Sequence, residues 1–290
     1  MNDARFEVVL NGGLGNQLFG WALGFAASQE SGLDCRLNCS RIEGREFQLG
    51  AFNIVGESVA PFQGTYLQNR YFHRLAKKFP KVFLKNSFIE SGFHFQENFL
   101  SPKKLVSYYG YFQSYKYFDK YSFQIREKLN EFQSNSKRFN MSSEYIFENK
   151  PYAVHIRRGD YLGREDFHGL ASEEYFQMAI QLIKTSDPSA TFILFSDSPL
   201  LTKDLLPDVN YMPEVTDSHS PAETLMLMSQ CKGIIGSNSS FSWWAAYVME
   251  SNAIRIFPKP WFVNRTLDTR DLLPPNWIQL DNSGNSESTS

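Results

Sequence analysis

The sequence predicts an α/β protein built on parallel sheets. Short apolar segments rich in β-branched and aromatic residues recur along it, among them "RFEVVL", "YAVHIR", "TFILFS", "GIIGS" and "AIRIFP". Longer stretches with apolar residues at i, i+3 and i+4 separate them. Alternating strand and helix requires crossover connections, and these produce parallel pairing with helices on both faces.

In chain order, "RFEVVL" reads as a strand, "NGGLGNQ" as a tight turn and "LFGWALGFAASQE" as a helix, the opening of a βαβ unit. "CRLNCS" and "SFIES" are further strand candidates. "LVSYYGYFQSYKYFDKY" reads as a strand, a loop and then a helix through "FQIREKLNEF". The polar stretch "QSNSKRFNMSSE" is the candidate linker. Beyond it, "YAVHIR", "TFILFS", "VNYM", "GIIGS" and "AIRIFP" read as strands. "SEEYFQMAIQLIKTS", "PAETLMLMSQC" and "FSWWAAYVMES" read as the helices between them. "DNSGNSESTS" is small and polar, and is expected to be a disordered tail.

A length of 290 residues suits one large domain or two modest ones. The 29 basic and 31 acidic residues nearly cancel, so no global field points to nucleic acid. Three cysteines, Cys35, Cys39 and Cys231, make neither a CxxC pair nor a metal spacing, which fits a reducing compartment. "MNDARFEVVLNGG" does not read as a signal peptide. No apolar run reaches the ~20 residues that span a bilayer. The expectation is a soluble, cytoplasmic protein without a transmembrane segment, with peripheral docking at the inner face of a membrane left open.

Ligands of parallel sheets gather at the carboxyl ends of strands. "YAVHI" runs into Arg157, Arg158 and Asp160; "TFILF" into Ser196 and Asp197; "GIIG" into Ser237, Asn238, Ser239 and Ser240; "AIRIF" into Pro258, Lys259 and Trp261. These sets would line one sheet edge. "SNSSFSWW" is a small polar loop that becomes a helix N-terminus, whose amides and hydroxyls can hold phosphate oxygens. Adjacent guanidinium groups can hold the same diphosphate by forked hydrogen bonds. No Asp-x-Asp pair suggests a metal.

Blander readings stand beside these. The arginines also read as partners of Asp160, and since neighbours on a strand face opposite ways, one of the two can be structural. His155 reads as a packed histidine in the sheet, and Trp243 and Trp244 as core. "GGLGNQL" lacks the third glycine of GxGxxG, which weighs against a nucleotide-dependent oxidoreductase. A carbohydrate-binding protein without catalysis would have no use for the arginine pair.

"GGLGNQLFGWA", "YYGYFQSYKYF", "HIRRGDY" and "SNSSFSWWAA" occur in the order seen in α-1,2-fucosyltransferases of glycosyltransferase family 11, which the chain resembles from about Val8 to about Trp261. "FHGLASEEYFQMAI" and "FILFSDS" are similar to that family as well. The resemblance implies a GT-B fold, two Rossmann-like domains facing across a cleft: residues 1–140 on the acceptor side, 141–280 binding the donor, and 281–290 as tail. It implies inverting transfer from GDP-β-L-fucose to O2 of a terminal galactose of a glycan, with no cofactor and no metal. The family's HxRRxD motif falls on His155, Arg157, Arg158 and Asp160. Its arginines would bind the diphosphate, Arg158 being the more critical, and His155 and Asp160 join it as candidate catalytic residues. Asn238, Ser239, Ser240 and Phe241 would lie near the phosphates, with Asp197 and Glu223 toward guanosine. Gly15, Asn16, Gln17 and His168 would face the sugars, and Asp160 and His168 are the candidate proton acceptors. Gly20 and Trp21 depart from the family's usual polar residue and aromatic, which bears on acceptor choice.

Overall fold

A computed structural model describes residues 5–40, 42, 45–59, 87–158, 170–264 and 266–282. The chain divides into two compact units, Met1–Glu131 with Asp268–Leu273, and Phe132–Leu267 with Pro274–Ser290.

The first unit carries four parallel strands: β1 (Arg5–Val9), β2 (Asp34–Asn38), β3 (Ser87–Ile89) and β4 (Ser107–Tyr109), in the order β2-β1-β4-β3. Helix α1 (Leu14–Ser31) joins β1 to β2, and α2 (Ser122–Asn130) closes the unit's main segment. Alternation in β1 buries Phe6 and Val8 on one face, and Phe6 packs edge-on against Tyr108 of β4. Glu7 faces the other way and is fully buried. Its carboxylate accepts from Arg36 and Asn38 of β2 and from Ser107 of β4, so one charge ties three neighbouring strands. A buried carboxylate is tolerable only when paired and hydrogen-bonded in this way.

The second unit runs α3 (Lys137–Asn149), β5 (Tyr152–Ile156), α4 (Glu173–Ser186), β6 (Phe192–Ser196), α5 (Pro221–Ser229), β7 (Gly233–Gly236), α6 (Ser240–Val248), β8 (Ile254–Lys259) and β9 (Ile278–Asp281). All five strands are parallel, in the order β6-β5-β7-β8-β9. On one face Val154, Ile156, Leu194, Ile235 and Ile256 pack with Tyr175, Phe176 and Ile180 of α4. An aromatic group of Trp243, Tyr247, Phe257 and Trp277 fills another part of the core. Two Rossmann-like units, each on its own parallel sheet, make this an α/β protein.

Three expectations change. The polar stretch read as a linker supplies α3 from Lys137 onward: Ser136 caps it, and Phe139, Ser142 and Ile146 form a narrow buried stripe. "VNYM" is not a strand, since Asn210 makes one isolated bridge to Ile193. The first two residues of the expected tail belong to the fold instead. Asp281 ends β9, and the Asn282 side chain joins the Ser172 amide (2.8 Å) to the Leu170 carbonyl (3.0 Å); residues 283–290 lie outside the described ones.

Arg255 of β8 is 4 % exposed, and its guanidinium donates to the carbonyls of Ala246, Met249, Glu250, Ser251 and Ala253. A cation thereby closes the carbonyl end of α6 and the turn after it, where the helix dipole is negative. Arg255→Met leaves those carbonyls unmatched in the interior. We expect it to lower unfolding stability by about 3 kcal/mol or more, read by urea denaturation.

Candidate active site

The strand order of the second unit locates its site. From β5 the chain goes to β6 on one side and then to β7 on the other. The order is that of a doubly wound sheet whose ligand crevice opens where the connections diverge, between the first and third strands. Here those strands are β5, which runs into Arg157 and Arg158, and β7, which runs into Ser237 to Ser240.

Asp197, just past β6, organises the arginines. One carboxylate oxygen accepts from the Arg158 amide (2.9 Å), and the other lies 3.3 Å from Arg157 Nε. The pair is thus divided. Arg157 faces the carboxylate. Arg158 is bound to it only through its main chain, and its Nε is enclosed without a hydrogen-bond partner. Asp197, expected toward guanosine, is engaged in holding these two residues.

The loop after β7 is built with similar economy. Asn238 and Ser239 are buried, whereas Ser240 and Phe241 are half-buried at the edge. Asn238 Nδ2 donates to the Trp261 carbonyl (3.0 Å), tying this loop to the segment after β8. Ser239 caps α6 by accepting from the Phe241 amide (3.3 Å). The Ser242 hydroxyl reaches back to the carbonyls of Ser237 and Ser239. Beneath β7, the buried Tyr175 hydroxyl lies 2.7 Å from the Gly236 carbonyl. No sequence motif marked Tyr175 for this role; the only signal was an aromatic at a core position of α4.

In the first unit, Gly15, Asn16 and Gln17 lie in the first turn of α1 rather than in the loop before it. Gly12 makes the turn: its φ is +71°, and a Cβ there would come within 2.5 Å of Asn16 Nδ2. Gln17 is fully buried and donates to the carbonyls of Gly12 (3.0 Å) and Glu46 (2.9 Å) while accepting from the Gln48 amide (2.9 Å). It holds the turn together. Asn16 Oδ1 accepts from Gln113 Nε2 (2.8 Å). Asp160 and His168 lie outside the described residues.

Compared with known proteins, residues 2–281 match the family described as Glycosyl transferase family 11. The chain belongs to glycosyltransferase family 11. It is 29 % identical over 283 residues to an alpha-1,2-colitosyltransferase of Escherichia coli, covering 94 % of this chain and 97 % of that protein. It is 27 % identical over 311 residues to the O-antigen biosynthesis glycosyltransferase WbnK of Escherichia coli, at 93 % and 99 % coverage. A galactoside 2-alpha-L-fucosyltransferase of Caenorhabditis elegans is 27 % identical over 192 residues, covering 60 % of this chain and 52 % of that protein. No helix among the described residues of this glycosyltransferase is long and apolar enough to cross a membrane.

Two further expected site residues of this family 11 chain have well-defined neighbours. Glu223 closes a capping box on α5: it accepts from the Ser220 amide (2.9 Å) and the Ser134 hydroxyl, and Ser220 accepts from its amide (3.3 Å). Burial pushes its pKa up, but the hydrogen bonds from Ser134 and Ser220 outweigh this and hold it below the ordinary value. His155 is inside the sheet, 3 % exposed, with its ring 5.6 Å from that of Phe241 and Nδ1 3.5 Å from Ser237 Oγ. Burial, helped by the neighbouring Arg157 charge, lowers its pKa to about 3, against a smaller upward pull from Asp197. It is therefore neutral near pH 7.

That depression fixes the sign of a pH effect. The unfolded chain protonates this histidine below about pH 6.5, whereas the folded protein resists until about pH 3. The contribution to stability is complete above pH 6.5 and is lost as pH falls through that window, by up to about 1.4 kcal/mol per pH unit. Urea denaturation between pH 7 and pH 4 should show a shallower acid slope for His155→Asn than for the unmodified protein.

Proposed function

We propose that this protein transfers L-fucose from GDP-β-L-fucose to O2 of a terminal galactose in a glycan, with inversion at the anomeric carbon and without a divalent metal. The observation that carries the reading is the Arg157–Asp197–Arg158 arrangement at the switch point of the second sheet, facing a serine loop that opens a helix. The names of two relatives support the linkage and the class of sugar.

Breaking the bond from the anomeric carbon to phosphate builds positive charge on the sugar ring and negative charge on GDP. Arg158, steadied through its main chain by Asp197, would meet the leaving phosphate with a guanidinium already desolvated on one side. First-turn amides of a helix have no intrahelical acceptor, so those near Ser240 can add donors to the same oxygens. Donors fixed before reaction lower the barrier because no reorganisation is needed as charge develops. Arg157 acts on the same charge while orienting Asp197. The acceptor attacks opposite the departing GDP, which makes an α-linked product from a β-linked donor. Its proton must pass to a group within hydrogen-bond reach. Asp160 and His168, which follow β5 in the sequence, are our candidates. Asn238, Ser239, Ser240 and Phe241 would bind the donor's phosphates, while Gly15 and Asn16, on the turn that Gln17 braces from within, would bind sugar. The proposed place of work is the cytoplasm.

One observation favours a second donor. An Escherichia coli relative is named a colitosyltransferase, and colitose is L-fucose without its 3-hydroxyl. Incubation with either GDP-sugar and a set of galactosides, followed by NMR of the product, decides between them and reports the linkage. Arg158→Ala should reduce kcat by roughly 10²- to 10³-fold or more while the thermal midpoint stays unchanged; near-normal turnover would remove the diphosphate assignment. Activity should persist undiminished in excess EDTA, and a requirement for added Mn²⁺ would contradict the metal-free chemistry.

A further inference from the structure

The carboxyl edge of the first sheet carries unmatched amide and hydroxyl oxygens. Strands β1 and β4 are neighbours, and the chain leaves β1 toward β2 on the other side, so the β1–β4 boundary is this sheet's switch point. β1 runs into Asn11 and β4 into Gly110 to Ser114. The loop after β4 is fixed from below. Glu90, past β3, accepts from the amides of Tyr111 (2.7 Å) and Phe112 (2.9 Å). Gly110 permits this, since a Cβ there would lie 2.5 Å from Glu90 Cβ. Asn11 Nδ2 donates to the Gly110 carbonyl (3.0 Å), and Gln113 Nε2 to Asn16 Oδ1 (2.8 Å).

These bonds leave Asn11 Oδ1, Gln113 Oε1 and Ser114 Oγ enclosed and without a hydrogen-bond partner. Gln113 is 8 % exposed and Ser114 fully buried. Beside them the Tyr111 ring is 44 % exposed and stacks on Phe93 at 6.3 Å. Enclosed polar atoms without partners are costly and call for an explanation. The Gly110 carbonyl fixes which way the Asn11 amide points, so its free atom is an acceptor. Amide oxygens only accept, and the ligand must therefore bring hydrogens. A phosphate brings none, whereas a hexose brings one on each hydroxyl. An exposed aromatic face adds a surface for the C–H side of such a ring.

We propose that Asn11, Tyr111 and Gln113 form the acceptor-sugar subsite, taking a terminal galactose through its hydroxyl hydrogens and stacking it on Tyr111. Charge excludes the donor's diphosphate from this position, and we assign it to the acceptor sugar. The assignment rests on the glycosyl-transfer reading above and names where that reaction's second substrate is held.

The test is direct binding of lactose to the GDP-saturated protein by saturation-transfer NMR. It compares the unmodified chain with Tyr111→Leu and Gln113→Ala; GDP affinity is titrated by calorimetry and folding is followed by circular dichroism. The expected result is a lactose signal in the unmodified protein and affinity about tenfold or more weaker in each variant, the scale of one lost hydrogen bond or stacking contact, with GDP affinity unchanged. Variants that bind lactose normally overturn the subsite, as does an unmodified protein that binds none. A parallel loss of GDP affinity in the variants assigns the loop to the nucleotide and overturns it as well. Absence of GDP binding in the unmodified protein would instead count against the transferase reading, and the lactose comparison would still decide the subsite. If Gln113→Ala misfolds, Tyr111→Leu decides, because that side chain is exposed.

Discussion

The carboxylate of Asp197 is the constraint on which the proposed chemistry depends. Two adjacent arginines at a strand end repel each other unless an anion intervenes. Asp197 supplies one anion and uses it asymmetrically, facing the side chain of Arg157 and the main chain of Arg158. The second guanidinium is thereby left with an enclosed, unmatched Nε at the point where a parallel sheet binds ligands. A reactive charge is held in place by its backbone, and its side chain stays uncommitted to the holder.

The scaffold around that contact serves the same end. Tyr175 fixes the last carbonyl of β7, Asn238 ties the serine loop to Trp261, and Arg255 closes the far end of the helix that the loop begins. The donors on the loop are therefore positioned from both ends. The first sheet follows another logic: its buried charge, Glu7, is matched within three strands, and its edge offers unmatched neutral acceptors. The two edges suit two kinds of ligand, one rich in negative charge and one rich in hydroxyl groups.

Much of this was legible in the sequence, for local reasons. Strands such as "YAVHI" and "GIIG" are short, apolar and followed by small polar residues, and a parallel sheet collects those residues on one edge whatever the details of packing. The elements that escaped have weak local signals. β9, "IQLD", is a half-exposed edge strand whose pairing with β8 supplies what its composition does not. α3 buries only three side chains in a polar stretch. The division of labour between Arg157 and Arg158 depends on a carboxylate some forty positions away, and no reading of neighbours along the chain could reveal it. Glu223 and Gln17 were identified as site residues by position, yet their hydrogen bonds run to a helix cap and a turn. Identity at a motif position says little about which way a side chain spends its hydrogen-bonding capacity.

The most direct measurement is a crystal structure of the protein with GDP. The account predicts the diphosphate at the carboxyl edge of the β5–β7 crevice, with the Arg158 guanidinium and the amides at the start of α6 within hydrogen-bond distance of its oxygens and Asp197 still holding Arg157. Density for GDP at any other place, with Arg158 and the serine loop untouched, would contradict it.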